Sequence, residues 1–161
     1  MMAGVLLEDT RQQRGKHETK HEWWAEHGVE LVRSKLAFGD YCRPPAVAVD
    51  TKASIHELAY DIDQDHARFR RELVGARAAG VRLVVLVENE AGVHDLAGLA
   101  AWDESPEEFG RRVHAQRRIC GSRLAKACAT MAERYGCEFC FCAPDEAAAR
   151  VSEILGGGND E

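Results

Sequence analysis

The 161-residue sequence has no apolar run near the roughly 18 residues a membrane-spanning helix needs, so no membrane association is expected. It has no basic leader either. MMAGVLLEDT turns acidic after a very short apolar run, which argues against a signal peptide. With no secretory signal, the six cysteines are expected as reduced thiols of a cytoplasmic protein, not as a disulfide framework. Cations are outnumbered, 21 Lys and Arg against 27 Asp and Glu, for a net charge of −6. That balance excludes a protein that coats nucleic acid by bulk charge, but not one with a local basic face. Internal repeats are absent. What is present is ordinary: 45% hydrophobic and 30% charged residues, as in one globular domain, expected over residues 1–155. The closing GGGNDE, residues 156–161, reads as a disordered tail.

Periodicity divides the chain into alternating elements. Val5–Glu8 is a short apolar strand, and Lys16 to Glu26 a helix stopped at His27-Gly28. Val29–Leu36 alternates with period two, the mark of a half-buried strand. Pro44-Pro45 punctuates a turn before a strand at Ala46–Lys52. Ser54 caps a helical region that runs to Gly80, with Phe69, Leu73 and Ala76 at helical spacing. Val81–Val87 is the most apolar strand and is expected to be covered on both faces. A helix carrying Leu124, Cys128, Met131 and Tyr135, a strand Cys137–Cys142 and a helix Ala147–Leu155 complete the chain. The order β-α-β-β-α-β-α-β-α predicts an α/β fold, a mixed β-sheet flanked by helices, with the second and third strands paired as a hairpin.

One short motif suggests peptidase chemistry. His17, Glu18 and His21 spell H-E-x-x-H, the spacing that puts two imidazoles and a carboxylate on one helix face around zinc. Lys16, Lys20 and Glu22 instead mark a solvated helix with Trp23 or Trp24 toward the core. Trp24 also occupies the position where the longer motif needs a glycine turn, and only 16 residues precede the motif. A zinc peptidase is therefore a distant alternative. The C-x-x-C of Cys137 and Cys140 falls on a strand, where residues three apart point to opposite faces, so isolated thiols are expected there.

A second constellation lies in GDYCRPPAVAVDTK, residues 39–52. Asp50 and Lys52, two apart on a strand, point to the same side. A hairpin brings Asp40 near Asp50, and Asp9 joins them if its strand is adjacent. Clustered carboxylates repel unless a cation holds them, and oxygen ligands suit Mg²⁺ or Mn²⁺. Such an ion with a neighbouring lysine, which orients or deprotonates the attacking water, is what phosphodiester hydrolysis requires. A solvated acidic rim has the same residues.

The order EDTRQ, LAFGDY, VAVDTKASIHEL and RLVVLVE resembles the nuclease domain of the XPF family of structure-specific endonucleases, in the restriction-endonuclease-like, PD-(D/E)xK superfamily. The family signature runs D-x-R-E, then G-D, then E-R-K-x-x-x-D. Asp9 and Arg11 match its first part, Gly39 and Asp40 its second, and Asp50 and Lys52 its third. Gln12 stands where the family has Glu, Asp50-Thr51 replaces Glu-Arg, and Glu57 falls one residue after the last acid of the pattern. The likeness covers about residues 5–155 and is closest to short phage- and prophage-type forms.

The resemblance implies a restriction-endonuclease-like fold and a Mg²⁺- or Mn²⁺-dependent endonuclease. Its expected substrate is branched or structured DNA, in phage or bacterial recombination, repair or replication, in the cytoplasm of a bacterial host or phage-infected cell. It implies that Asp40, Asp50 and the Thr51 carbonyl hold the metal and that Lys52 serves the attacking water. Asp9, Arg11 and Glu57 support them. Arg68, Arg70, Arg71 and His17 are the candidate DNA contacts, a solvated helix face being the alternative for the three arginines; Arg111, Arg112, Arg117 and Arg118 form a second basic cluster, expected as surface rather than groove but able to assist DNA binding. No helix-hairpin-helix module follows, so a homodimer or a protein partner is expected to add DNA affinity. A catalytically silent partner subunit of the same fold is the alternative.

Overall fold

An apolar strand without alternation must be covered on both faces, and Arg82–Glu88 (β5) is such a strand, buried from Leu83 onward. The computed structural model of the chain describes residues 4–43, 47–113 and 115–156. Around β5 stand β1 (Gly4–Asp9), β2 (Val29–Ser34), β3 (Tyr41–Arg43), β4 (Val47–Lys52) and β6 (Glu138–Cys142). They form one six-stranded sheet in the order β2-β1-β3-β4-β5-β6. The helices are α1 (Glu18–Glu26), α2 (Ile55–Asp63), α3 (His66–Ala78), α4 (Leu96–Ala101), α5 (Pro106–Arg111), α6 (Gly121–Tyr135) and α7 (Ala147–Gly156).

Odd and even residues of the central strands serve two different cores. Leu83, Val85 and Val87 pack with Leu58, Phe69, Leu73, Leu99, Cys128 and Met131 beneath α2, α3, α4 and α6. Val49 and Leu86 pack on the other face with Leu6, Trp24, Tyr41 and Val151 beneath α1 and α7. Trp24 anchors α1: its Nε1 donates to Ala148 O and Ser152 Oγ, both at 3.1 Å. Its ring meets Tyr41 edge-on at 5.0 Å between centroids. Gly121 opens α6 where a Cβ would overlap the carbonyl oxygens of Trp102 and Leu99, so only glycine lets α6 approach α4 this closely.

The mixed sheet flanked by helices is as the sequence predicts, with one pairing corrected. The hairpin expected between Val29–Leu36 and Ala46–Lys52 does not form. The α1 crossover makes β2 parallel to β1, with Leu6 opposite Leu31, and leaves β2 at the sheet edge. The three-residue β3 pairs antiparallel with both β1 and β4, with Tyr41 opposite Val49. A strand that short shows no alternation to read. The helical region after Ser54 breaks at Gln64-Asp65 into α2 and α3, and α4 is an added short helix. Pro44, Pro45, Ala46 and residues 157–161 of the expected tail lie outside the described residues.

Candidate active site

Three segments are tied together at one end of the central strands β1, β3 and β4. Gly39, at φ +73°, turns the chain into β3, and a Cβ there would lie 2.9 Å from Val49 O. The turn lets Asp40 N donate to Val49 O at 2.7 Å, and Asp9 N donates to Asp40 O at 2.7 Å. The Asp9, Asp40 and Asp50 segments therefore converge as expected, but through the β3–β4 hairpin. They line an open cleft of about 820 Å³. Six carboxylates line it (Asp9, Asp40, Asp50, Glu57, Glu72, Glu88) against six cations (Arg11, Lys16, Lys20, Lys52, Arg68, Arg71).

Each expected residue has a definite place. Asp9 is buried and fully engaged: Oδ1 accepts from Leu36 N at 3.2 Å, and Oδ2 pairs with Arg11. Arg11 also donates to Leu36 O at 3.0 Å, so it braces a carboxylate at the cleft wall. Asp40 Oδ2 accepts from Thr51 N at 2.7 Å and Thr51 Oγ1 at 2.9 Å. Lys52, only 3% exposed, sets its Nζ 2.7 Å from Asp50 Oδ2 and 2.5 Å from Asp61 Oδ2. Neither approach is aligned as a hydrogen bond, and both carboxylate oxygens lack one. The ammonium also lies 4.9 Å from the Phe69 ring centroid. Glu57 lines the cleft while its Oε2 accepts from Ala53 N at 2.7 Å, reciprocating Ser54 at the start of α2. His17, Arg68 and Arg71 line the cleft, but Arg70 does not: its Nε donates to Tyr135 OH at 3.0 Å.

Three charged residues of this region, Asp61, Glu72 and Glu88, carry no signal that the sequence analysis uses, and a fourth, Lys20, is placed differently from its expectation. Asp61 of α2 is 4% exposed and links Lys52 to Arg68, whose Nη2 lies 3.2 Å away. Glu72 of α3 accepts from Gly39 N at 3.1 Å and so fixes the turn that carries Asp40. Lys20 and Glu88 form a buried pair at 2.7 Å in the cleft wall. Lys20 was expected to mark a solvated helix. It is instead turned inward with Trp24, one helical turn away.

The electrostatics follow from burial and crowding. Burial first, then the neighbouring Asp50, raises the Asp40 carboxyl to about 7 against the opposing Thr51 hydrogen bonds and Lys52. Burial, then Asp50, raises Glu72 as well. For Lys52, burial pulls down and the Asp50 and Asp61 carboxylates push up more strongly, so its pKa ends above the ordinary value. Burial, then Lys20, lowers His17. Two adjacent carboxylates that crowd one another, so that Asp40 resists ionisation even with Lys52 beside Asp50, fit a hard divalent cation.

The H-E-x-x-H residues do not form a ligand cluster among the described residues. His21 Nε2 lies 2.6 Å from Glu8 Oε2 beneath the sheet edge, and His17 precedes α1 at the cleft. Among the described residues, the one group of three His, Cys, Asp or Glu donors within 4.8 Å of one another is His56, Glu104 and Glu108. Glu104 there already receives the Arg112 guanidinium at 2.6 and 2.7 Å, which competes with a metal. All six cysteines are free thiols.

No protein-family model matches the chain, and no curated protein matches it. Solved structures do. XPF from Aeropyrum pernix is 17% identical with a TM-score of 0.64, covering 94% of this chain and 63% of that one. The same XPF in complex with DNA is 18% identical with a TM-score of 0.61, covering 94% of this chain and 62% of that one. The chain thus spans less than two thirds of the length of these structures, and the likeness is one of fold: XPF-like and restriction-endonuclease-like. No helix among the described residues is long and apolar enough to cross a membrane.

Proposed function

We propose that this chain is a Mg²⁺- or Mn²⁺-dependent DNA endonuclease. The observation that carries the reading is the meeting of Asp40, Asp50 and Lys52 in one cleft, on an XPF-like fold. The relative's structure with DNA supports a nucleic-acid substrate. Branched or structured DNA in phage or bacterial recombination, repair or replication remains part of the proposal.

Asp40, Asp50 and the Thr51 carbonyl would hold the ion. When bound, it supplies Lewis-acid stabilisation of the charge that builds on the phosphate and eases ionisation of the attacking water. Thr51 fixes one Asp40 oxygen through two hydrogen bonds, so the carboxylate is oriented before any ligand arrives. Lys52 is clamped as an ammonium by Asp50 and Asp61. A cation held so firmly is unsuited to removing a proton, so of the two roles expected for it the structure favours orientation and charge stabilisation. Arg68 and Arg71 at the cleft mouth would meet the phosphate backbone. Arg11, tied to Asp9, holds the β1 end in place.

The test is cleavage of labelled flap, fork, four-way junction and plain duplex DNA with Mg²⁺, Mn²⁺ or EDTA, with Asp50→Asn beside the wild type. Metal-dependent cutting that disappears in Asp50→Asn supports the assignment. Equal cutting by both proteins refutes it. Binding of branched DNA without cutting would favour the catalytically silent subunit.

A further inference from the structure

The cleft has no surplus of positive charge, since its six carboxylates face six cations. The whole chain carries −6. The cleft residues alone therefore give a polyanionic substrate little net attraction, and a further basic surface would add to the grip of Arg68 and Arg71. Behind α2, on the far side from Lys52, two cavities of about 520 and 370 Å³ share Ile62, Arg123 and Ala127 and so form one groove. Arg117, Arg118, Arg123, Lys126 and Arg134 line it, against a single carboxylate, Asp63. All five cations are exposed, and none forms an ion pair among the described residues.

Their spacing is regular. Arg123, Lys126, Thr130 and Arg134 follow one another at steps of three, four and four along α6, which puts them on one helix face. The stripe extends over about 16 Å of helix, and one DNA strand carries about five phosphates in that length. Arg117 and Arg118 prolong it from the loop before α6. An apolar protein partner would not select five unpaired cations, and a point anion would not need a linear array.

We propose that this α6 groove is a second nucleic-acid contact, which holds the phosphate backbone of a duplex arm while the cleft on the other side of α2 receives the strand to be cut. The inference rests on the nuclease reading for the role of the cleft, but the groove itself is tested by binding alone.

The measurement is fluorescence anisotropy of labelled duplex and fork DNA in EDTA, from about 0.05 to 0.3 M salt, where no cleavage occurs. Arg117, Arg123 and Lys126 are changed together to Gln and, in a second protein, together to Glu. Arg150→Glu, on α7 over the opposite sheet face, controls for net charge. The Gln triple variant should bind about a hundredfold more weakly near 0.1 M salt, with a log K against log salt slope shallower by about 2.7. The Glu variant should be weaker still, and Arg150→Glu close to wild type. Circular dichroism and melting establish that each variant is folded, and the Gln set carries the decision if the Glu set is not. Unchanged affinity and slope, an equal loss in Arg150→Glu, or a wild type that binds no DNA would each overturn the groove. So would an altered sedimentation coefficient with unchanged DNA affinity, which would mark a protein contact. Cleavage by Asp50→Asn is read separately and bears only on the cleft.

Discussion

Asp40→Asn should stabilise the metal-free protein at alkaline pH and abolish its response to metal. The Asp40 carboxyl is raised from 3.8 to about 7 by burial and by Asp50. Between those values the folded protein keeps a proton that the unfolded chain has lost. Unfolding free energy therefore falls as pH rises through that window and stays lower above it. At about 1.4 kcal/mol per pH unit the upper bound is about 4 kcal/mol, and water in the open cleft reduces the expected effect to about 2 kcal/mol. Asn keeps the acceptor for Thr51 N and Oγ1 without the charge. At pH 4 the two proteins should melt together; at pH 8 in EDTA the variant should melt roughly 4–8 °C higher. Adding Mg²⁺ or Mn²⁺ at pH 8 should raise the wild type by mass action and leave the variant unmoved. Thermal or urea unfolding from pH 4 to 8.5 reads all of this. A difference that does not vary with pH, or a variant less stable at pH 8, would refute the account of a buried, crowded carboxylate pair.

Two further substitutions probe the clamp around Lys52. Lys52→Ala should abolish cleavage, but it strands Asp50 and Asp61 in a buried site, so a stability loss of about 3–5 kcal/mol is expected in urea unfolding. Had the lysine stood free on a strand edge, as its spacing alone suggests, the loss would be negligible; a variant as stable as wild type would refute the clamp. Asp61→Asn should slow single-turnover cleavage about tenfold or more by loosening Lys52 and Arg68, with metal affinity unchanged in the same titration. A rate within about twofold of wild type would remove Asp61 from the positioning of Lys52.

The strand chemistry was legible because strands have a period of two. Asp50 and Lys52 share a face once Ala48 and Val49 are strand residues, and Gly39-Asp40 is a turn signal by residue type alone. The partner of that turn was not legible. Tyr41–Arg43 is too short to alternate, and only its insertion between β1 and β4 shows why Asp9 and Asp40 are neighbours. The arginines of HARFRR are adjacent in the sequence, yet the turn of α3 separates their directions: Arg68 and Arg71 reach the cleft, while Arg70 turns to Tyr135 at the end of α6.

The helix charges Lys20, Asp61 and Glu72 share a feature that the sequence does contain. Lys20 precedes the buried Trp24 by four, Asp61 follows the buried Leu58 by three, and Glu72 precedes the buried Ala76 by four. Each charge therefore stands inside the apolar stripe of its own helix, where ordinary solvated charges are absent. A charge in such a place is held only if an opposite charge or a backbone donor meets it. Lys20 finds Glu88 at the end of β5, Asp61 finds Lys52 at the end of β4, and Glu72 finds Gly39 N before β3. All three partners lie at or beside strand ends on the cleft end of the sheet. Charges that break an apolar helix stripe thus mark this end of the sheet independently of the Asp-x-Lys spacing, because burying them is tolerable only where strand ends supply counter-groups.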